Sequence, residues 1–362
     1  MSSRQESRRV VIAEDCNEFR LLRVAGGDES LADWLDGYLA PEGIDVADYR
    51  SRLRALGEGW SFDAPADRAE LLAAVADAEV VLTEREPIDA ELIAAAPHLK
   101  RIVKFGSDLR NIDRDAAAEA WVEVVAAPRM TTSHVADHVL MLTLVLLRRF
   151  TQDARLRHGD PTPPPLAPGV AVEAGAHPPT VFNWSGTHGL RALRGRRLAI
   201  VGVGETGRAV IQRARAFDME VGYWSRNRDP ELEAATGAVF VERDALAEWA
   251  DVVSLHVPYA AALKHFVDRD FLQALGPDGV LINCARGLLV DFDAVVEALQ
   301  GGAIAGAGLD VFPQEPYPLS AELDALPNLV TTPHLAAADR WAILEDVELT
   351  FAALGAADGT GQ

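Results

Sequence analysis

The stretch Arg197-Leu198-Ala199-Ile200-Val201-Gly202-Val203-Gly204-Glu205-Thr206-Gly207-Arg208-Ala209-Val210 decides the fold. It reads as a short apolar strand, a glycine-rich turn and the start of a helix. The glycine spacing is G-x-G-x-x-G. Where a dinucleotide binds such a turn, each glycine has a mechanical role. Gly202 permits the tight turn out of the strand, Gly204 lets backbone approach a pyrophosphate, and Gly207 lets the helix pack against the strand. The helix N-terminus then directs its free N–H groups at the phosphates. The pattern alone also describes an ordinary strand-to-helix turn. Its surroundings favour the nucleotide reading, because a helix over 208–217 and a second strand over 219–224 complete the βαβ unit that the motif needs.

Outward from this unit the alternation of strand and helix continues both ways. Downstream, helices over 244–249, 268–275 and 291–300 alternate with strands over 252–256, 279–284, 304–311 and 328–332. Upstream, strands over 9–13, 79–83, 99–105 and 121–125 alternate with helices over 67–76 and 89–95. Residues 14–60 show only two helical stretches, 31–35 and 49–56. Such alternation predicts an α/β protein with two doubly wound parallel sheets, the larger a Rossmann domain. Ligands in such sheets sit beyond the carboxyl ends of the strands, so polar residues there are the site candidates.

Thr131-Thr132-Ser133 offers N-cap chemistry to a long apolar helix over 134–150, suited to joining two domains or to a subunit contact. His134 and His138 read as polar residues near its start. Seven prolines, from Pro161 to Pro179, interrupt 158–189. That segment reads as a loop, a lid or an arm around a second subunit.

Composition sets the bounds. A length of 362 residues suggests two domains, and 49% hydrophobic with 25% charged residues is ordinary for a globular protein. A net charge of −21 argues against nucleic acid or an anionic membrane as a partner. Cys16 and Cys284 make no disulfide framework and suit a reducing cytoplasm. The start MSSRQESRRV has no apolar signal segment, the longest apolar run, 139–147, is too short to span a bilayer, and no metal-ligand cluster is visible.

The pieces GVGETG, SLHVP, LINCARGLLVD, AGLDVFPQEP and TTPHLA, in this order, resemble the D-isomer-specific 2-hydroxyacid dehydrogenase family. The resemblance runs from Lys104 to about Ala337, looser in KFGSDLRNID and SHVADH. It implies a flavodoxin-like substrate domain of 1–131 plus 336–362, and an NAD(P)-binding Rossmann domain of 132–335 carrying the Pro-rich insertion, with a cleft between the two domains. It also implies hydride transfer between a nicotinamide cofactor and a small 2-oxo or 2-hydroxy acid, in a homodimer built on the cofactor domains with the helix over 134–150 in or near the contact.

Chemistry and resemblance together nominate the site. Reduction of a 2-oxo acid needs a proton for the carbonyl oxygen and a cation for the carboxylate. Arg286, where a strand ends in Cys-Ala-Arg-Gly, offers a planar fork suited to a carboxylate. His334 in Thr-Thr-Pro-His has a carboxylate partner in Glu315, and a hydrogen-bonded glutamate favours the charged imidazole. The family uses such a pair as its acid/base couple. By resemblance, Asp310 would hold the nicotinamide carboxamide, Cys284 and Ala285 would line the ring, and His256, Val257 and Pro258 would border the adenine side. Thr132 would touch the cofactor beside the turn residues Gly202, Gly204, Glu205, Thr206 and Gly207. The N–H groups of Gly106, Ser107 and Asp108 would hold the substrate carboxylate.

The second strand of the βαβ unit ends at Trp224, and Ser225 stands where NAD-binding members carry an acid. Ser225 with Arg226 and Arg228 suits a 2′-phosphate, so NADP(H) is expected over NAD(H). Departures from the family pattern are Asp137 in place of Glu, and Leu-Ala-Ala-Ala after His334. Two other readings remain. One is a formate- or phosphite-type dehydrogenase, suggested by Gly106-Ser107-Asp108 but opposed by Glu315 where formate dehydrogenase has Gln. The other is a non-catalytic NAD(P)-sensing interaction protein.

Overall fold

The structure, a computed structural model, describes residues 8–151, 187–318 and 320–355. Most of the Pro-rich segment, 158–186, lies outside the described residues. The rest divides into two compact units, one of residues up to 134 together with those from 338 onward, the other between 135 and 337.

The first unit is a five-stranded parallel sheet of β1 (Arg8–Ile12), β2 (Trp60–Asp63), β3 (Val80–Thr83), β4 (Arg101–Phe105) and β5 (Glu123–Ala127), in the order β2-β1-β3-β4-β5. Its early helices are α1 (Asn17–Ala25), α2 (Ala32–Leu39), α3 (Val46–Leu56), α4 (Arg68–Ala74), α5 (Ala90–Ala94) and α6 (Arg114–Glu119). Asp45, Asp67, Asp89 and Asp113 each accept a first-turn N–H and so start α3 to α6. One core forms from α1, α2, α3 and β1 with Ile343, Leu344, Val347 and Phe351 of the C-terminal helix, Arg340–Gly355. β2, WSFD, alternates apolar and polar residues over only four positions, with Trp60 and Phe62 packed against that core, and it pairs with β1. The expected strand over 121–125 begins later, at Glu123, because Trp121 adopts a left-handed turn (φ 60) and points into solvent.

The helix expected from 134 starts earlier, as α7 (Thr131–Leu147). Its cap comes from outside the segment. Buried Asp346 of the C-terminal helix accepts the Met130 N–H and, at 2.8 Å, the Thr131 hydroxyl. A carboxylate there meets both the unpaired donors and the positive end of the helix dipole.

The second unit is a seven-stranded parallel sheet of β6 (Arg197–Val201), β7 (Glu220–Trp224), β8 (Val239–Phe240), β9 (Val252–Leu255), β10 (Val280–Asn283), β11 (Gly306–Leu309) and β12 (Leu329–Thr331). The order is β12-β11-β10-β9-β6-β7-β8. Helices α8 (Glu205–Ala216), α9 (Pro230–Thr236), α10 (Leu246–Trp249), α11 (Arg269–Leu275) and α12 (Phe292–Gly301) connect the strands. The strands are buried nearly throughout, as both faces of a parallel sheet must be. Ala136, Val139, Leu142 and Leu146 of α7 join β6, α8 and β7 in one of its two cores. The chain order reverses between β6 and β9, which puts the switch point of the sheet beside the glycine turn after β6. Among the described residues no helix is long and apolar enough to cross a membrane.

Candidate active site

The three glycines of the turn after β6 differ in what they permit. Gly202 has φ 98, and a Cβ there would lie 2.6 Å from Val257 and 3.0 Å from the His256 backbone. A Cβ on Gly207 would lie 2.1 Å from the Gly202 carbonyl oxygen, so only glycine lets α8 close on β6. A Cβ on Gly204 would meet nothing within 4 Å. Packing therefore requires the first and third glycines, and the middle one leaves open space at the mouth of α8. No side chain caps α8 at Gly204. A helix start without a cap, beside backbone with no Cβ, fits a dinucleotide pyrophosphate.

Arg286, Glu315 and His334 come from three strand ends. Buried Asn283, at the end of β10, ties its own turn: its Oδ1 accepts the Ala285 N–H at 3.0 Å and its Nδ2 donates to the Arg286 carbonyl at 3.0 Å. That turn presents the exposed Arg286 side chain. A Cβ on Gly287 would lie 2.0 Å from the Phe312 backbone, so glycine brings the β10 turn against the segment after β11. Glu315 accepts the Phe312 N–H at 2.9 Å, and its Oε2 lies 2.5 Å from His334 Nδ1. Burial pushes the Glu315 carboxyl up, but its bonds to His334 and Phe312 and the nearby charge of Arg286 carry it below its ordinary value. The three residues thus share one electrostatic neighbourhood.

His334 has φ 53, a conformation that costs a non-glycine residue roughly 1–3 kcal/mol. Asp310 holds it there. The Asp310 carbonyl accepts the His334 N–H at 2.8 Å. Its buried carboxylate accepts the Thr332 hydroxyl at 2.6 Å, the Leu335 N–H at 2.9 Å and the Ala336 N–H at 3.0 Å. The segment after β12 is wound around one carboxylate, so Asp310, expected as a nicotinamide contact, is also the anchor of the histidine turn.

One participant escaped the sequence reading. His138 is not a polar residue at a helix start; its side chain is 9% exposed, with Nε2 2.9 Å from Thr332 Oγ1 and 3.8 Å from Asp310 Oδ1. Its signal was helical phase, because position 138 shares a face with Leu142, four residues on, which is fully buried. His134 is more exposed and lies 3.5 Å from Asp339.

The remaining candidates are placed as follows. The Ser225 hydroxyl donates to the Asn227 carbonyl at 2.5 Å. Arg226 is exposed and has no partner among the described residues, whereas Arg228 makes two 2.7 Å bonds to Glu233. His256 and Val257 back the glycine turn, with Pro258 exposed beyond them. Ser254 meets His256 Nε2 at 2.8 Å, and burial pushes this imidazole down to about 3. Burial pushes the Cys284 thiol up, so it packs as a neutral group beside buried Ala285. Glu205 and Thr206 form the first turn of α8. Asp137 meets Arg213 of α8 at 2.5 Å.

In the first unit the Thr132 hydroxyl donates to the Arg129 carbonyl at 2.6 Å. The Gly106 N–H donates to Ala127 at 2.7 Å, while those of Ser107 and Asp108 donate to no described residue. The Asp108 carboxylate is held by Arg110. Among the described residues no group of His, Cys, Asp and Glu could hold a metal ion.

Known proteins share this arrangement of the chain. Residues 180–336 match the family profile described as D-isomer specific 2-hydroxyacid dehydrogenase, NAD binding domain. A glyoxylate reductase from Thermococcus litoralis is 35% identical over 283 residues, covering 78% of this chain and 81% of that one. The crystal structure of an NADPH-dependent glyoxylate/hydroxypyruvate reductase from Sinorhizobium meliloti matches 98% of this chain and 95% of its own, with 27% identity and a TM-score of 0.60. A Pyrococcus horikoshii protein shares the fold with a TM-score of 0.66 at 22% identity, over 96% of this chain and 91% of that one. The chain belongs to the D-isomer specific 2-hydroxyacid dehydrogenase family and is an NAD(P)-dependent oxidoreductase of small 2-hydroxy acids and their 2-oxo counterparts.

Proposed function

We propose that this chain reduces glyoxylate and 2-oxo acids of similar size, with NADPH as the preferred donor, in the cytoplasm. The observation that carries the reading is the 2.5 Å contact between His334 Nδ1 and Glu315, beside the charge of Arg286. When bound, the nicotinamide supplies the hydride for the carbonyl carbon. Arg286 holds the substrate carboxylate with its fork of donors, and the N–H groups of Ser107 and Asp108 are the candidate substrate contacts that the first unit offers. With Nδ1–H directed at Glu315, His334 keeps Nε2 for the proton that the carbonyl oxygen receives. Glu315 orients the ring and balances its charge.

The preference for NADPH rests on Ser225 and Arg226, with no acid at the strand end to repel a 2′-phosphate. Arg228 is a weaker contributor, since Glu233 already occupies its guanidinium. The residues between 135 and 337 then form the nucleotide domain, and the first unit serves the substrate. The working form is a homodimer, to which α7 contributes its exposed Met141.

The experiment follows NADPH and NADH oxidation against a panel of 2-oxo acids graded in size, beginning with glyoxylate and hydroxypyruvate. The highest kcat/KM should fall on the smallest acids with NADPH. Absence of turnover with every acid would overturn the activity, and equal use of NADH would overturn the cofactor assignment. Light scattering at micromolar concentration tests the dimer.

A further inference from the structure

The reading of His334 as the acid leaves open what keeps it in a conformation that few non-glycine residues adopt. Asp310 is the direct support, and its carboxylate receives three donors from the turn that it holds. Two of these are backbone N–H groups whose direction is set by the chain. The third is the Thr332 hydroxyl, a rotor that can turn its proton elsewhere.

His138 lies against that rotor. Its Nε2 lies 2.9 Å from Thr332 Oγ1, and Thr332 Oγ1 lies 2.6 Å from Asp310 Oδ1. A hydroxyl has one proton to give. If the imidazole donates Nε2–H to the oxygen, the threonine proton is directed to Asp310, and the three groups form a chain of donors running one way. The imidazole is nearly sealed from solvent, and burial pushes its pKa below the ordinary value, which keeps a neutral ring with a single N–H. Its only polar neighbours among the described contacts are Thr332 and Asp310.

We propose that His138 is a positioning residue for the reduction: through Thr332 it orients Asp310, and through Asp310 it holds the 332–336 turn that presents His334 to Glu315. The imidazole touches neither His334 nor Glu315 and donates no proton to the substrate. α7, which supplies it, thereby ties the histidine turn to the core of the second unit. This rests on the reading that His334 is the acid, but the link from His138 to the turn can be observed independently of catalysis.

The test compares His138→Leu, His138→Gln and Thr332→Val in the full-length protein, with His334→Ala alongside. Two kinds of quantity are read: kcat with the KM values for glyoxylate and for NADPH, and the amide exchange rates of Leu335 and Ala336, whose N–H groups bind Asp310. His138→Leu should lower kcat about 10- to 100-fold through misplacement of His334, with KM for NADPH near the parent value. It should also speed exchange at 335 and 336. His138→Gln, which keeps an N–H donor at similar reach, should recover most of both. Thr332→Val should match His138→Leu, and the double variant His138→Leu/Thr332→Val should be no worse than either single one, because both cut the same chain.

Parent-like kcat and exchange in His138→Leu would overturn the proposal. So would equal damage from Gln and Leu, which would make ring volume the cause. A kcat loss with exchange at 335 and 336 unchanged would also overturn it, since the effect would then bypass Asp310. If His334→Ala alone keeps its turnover, the assignment of the acid falls, while the exchange data still decide whether His138 holds the turn.

Discussion

Two turns in this molecule are built by one device and differ in what they carry. In the first unit, Glu14 follows β1, and its Oε1 accepts the N–H groups of Glu84, Arg85 and Glu86 at 2.6, 2.6 and 3.1 Å. In the second unit, Asp310 follows β11 and gathers the turn of 332–336. Each is a carboxylate at the carboxyl edge of a parallel sheet, around which the segment leaving another strand is wrapped. The Glu14 anchor is also backed from behind, with Thr83 Oγ1 3.3 Å from its Oε1 and Asn111 Nδ2 3.2 Å from that hydroxyl, but its turn holds no residue in a left-handed conformation. The Asp310 turn carries one residue in a left-handed conformation, His334, and is backed by Thr332 and His138. A carboxylate nest closes a strand end in both units, and what sets the second apart is that its turn holds the candidate acid, His334, in a left-handed conformation.

Removing the aimed group should have the largest effect. His334→Ala should cut kcat by about 10²–10⁴-fold, the usual worth of a positioned acid, with the Kd for NADPH little changed. Near-parent turnover would reduce the second turn to scaffolding like the first. Next comes the anchor. Asp310→Asn places an amide NH₂ among N–H and O–H donors, so kcat should fall about 100-fold as the histidine turn loosens. Thermal unfolding run alongside separates that loss from global destabilisation.

The same contrast between an occupied and a poised group recurs beyond β7. Arg228 is bound to Glu233, and Arg226 has no described partner. Ser225→Asp with Arg226→Ala should lower the NADPH over NADH ratio of kcat/KM by about 10-fold, the worth of one or two charge-assisted hydrogen bonds, while Arg228→Ala moves it far less. A ratio unchanged in the first variant would show that this loop does not read the 2′-phosphate.

Glu14→Gln tests the scaffolding turn. It should leave kcat near the parent value and cost about 1–3 kcal/mol of stability, since an amide answers the three N–H donors less well. A kcat loss comparable to that of Asp310→Asn would break the comparison. The smallest effect is on pH dependence. Burial pushes the Glu14 carboxyl up, yet the bonds from Arg85, Glu86 and Glu84 leave it below its usual 4.5. The unfolded chain therefore binds this proton at a pH where the folded chain does not, so the stabilisation is present above 4.5 and disappears as pH falls below it. The parent should lose stability more steeply with acid below pH 4.5 than Glu14→Gln, as followed by denaturant midpoints.

How far the sequence could be read varied with what held each part together. The glycine turn was legible because its geometry is local: Gly202 and Gly207 are required by contacts within one βαβ unit. Arg286, Glu315 and His334 were legible as strand-end residues in a recognisable order. β2 was not, because the alternation of WSFD covers only four residues, too few to mark a strand without β1 beside it. The start of α7 was misjudged because its cap, Asp346, lies more than two hundred residues away. The histidine turn shows the same limit, since nothing near Asp310 in sequence says that its carboxylate receives Thr332, Leu335 and Ala336.

The sequence by itself determined the alternation of strands and helices, the nucleotide turn, the family and the nomination of three catalytic candidates. Each of these depends on residue type and short spacing, which the chain states directly. Only the tertiary structure decided that Asp310 gathers the turn carrying His334, that Arg228 is bound to Glu233 while Arg226 has no described partner, and that His138 faces inward onto Thr332 and Asp310. Those outcomes depend on which groups lose water together when distant strands end at the same edge, and a buried polar group takes whatever partner the packing brings within reach.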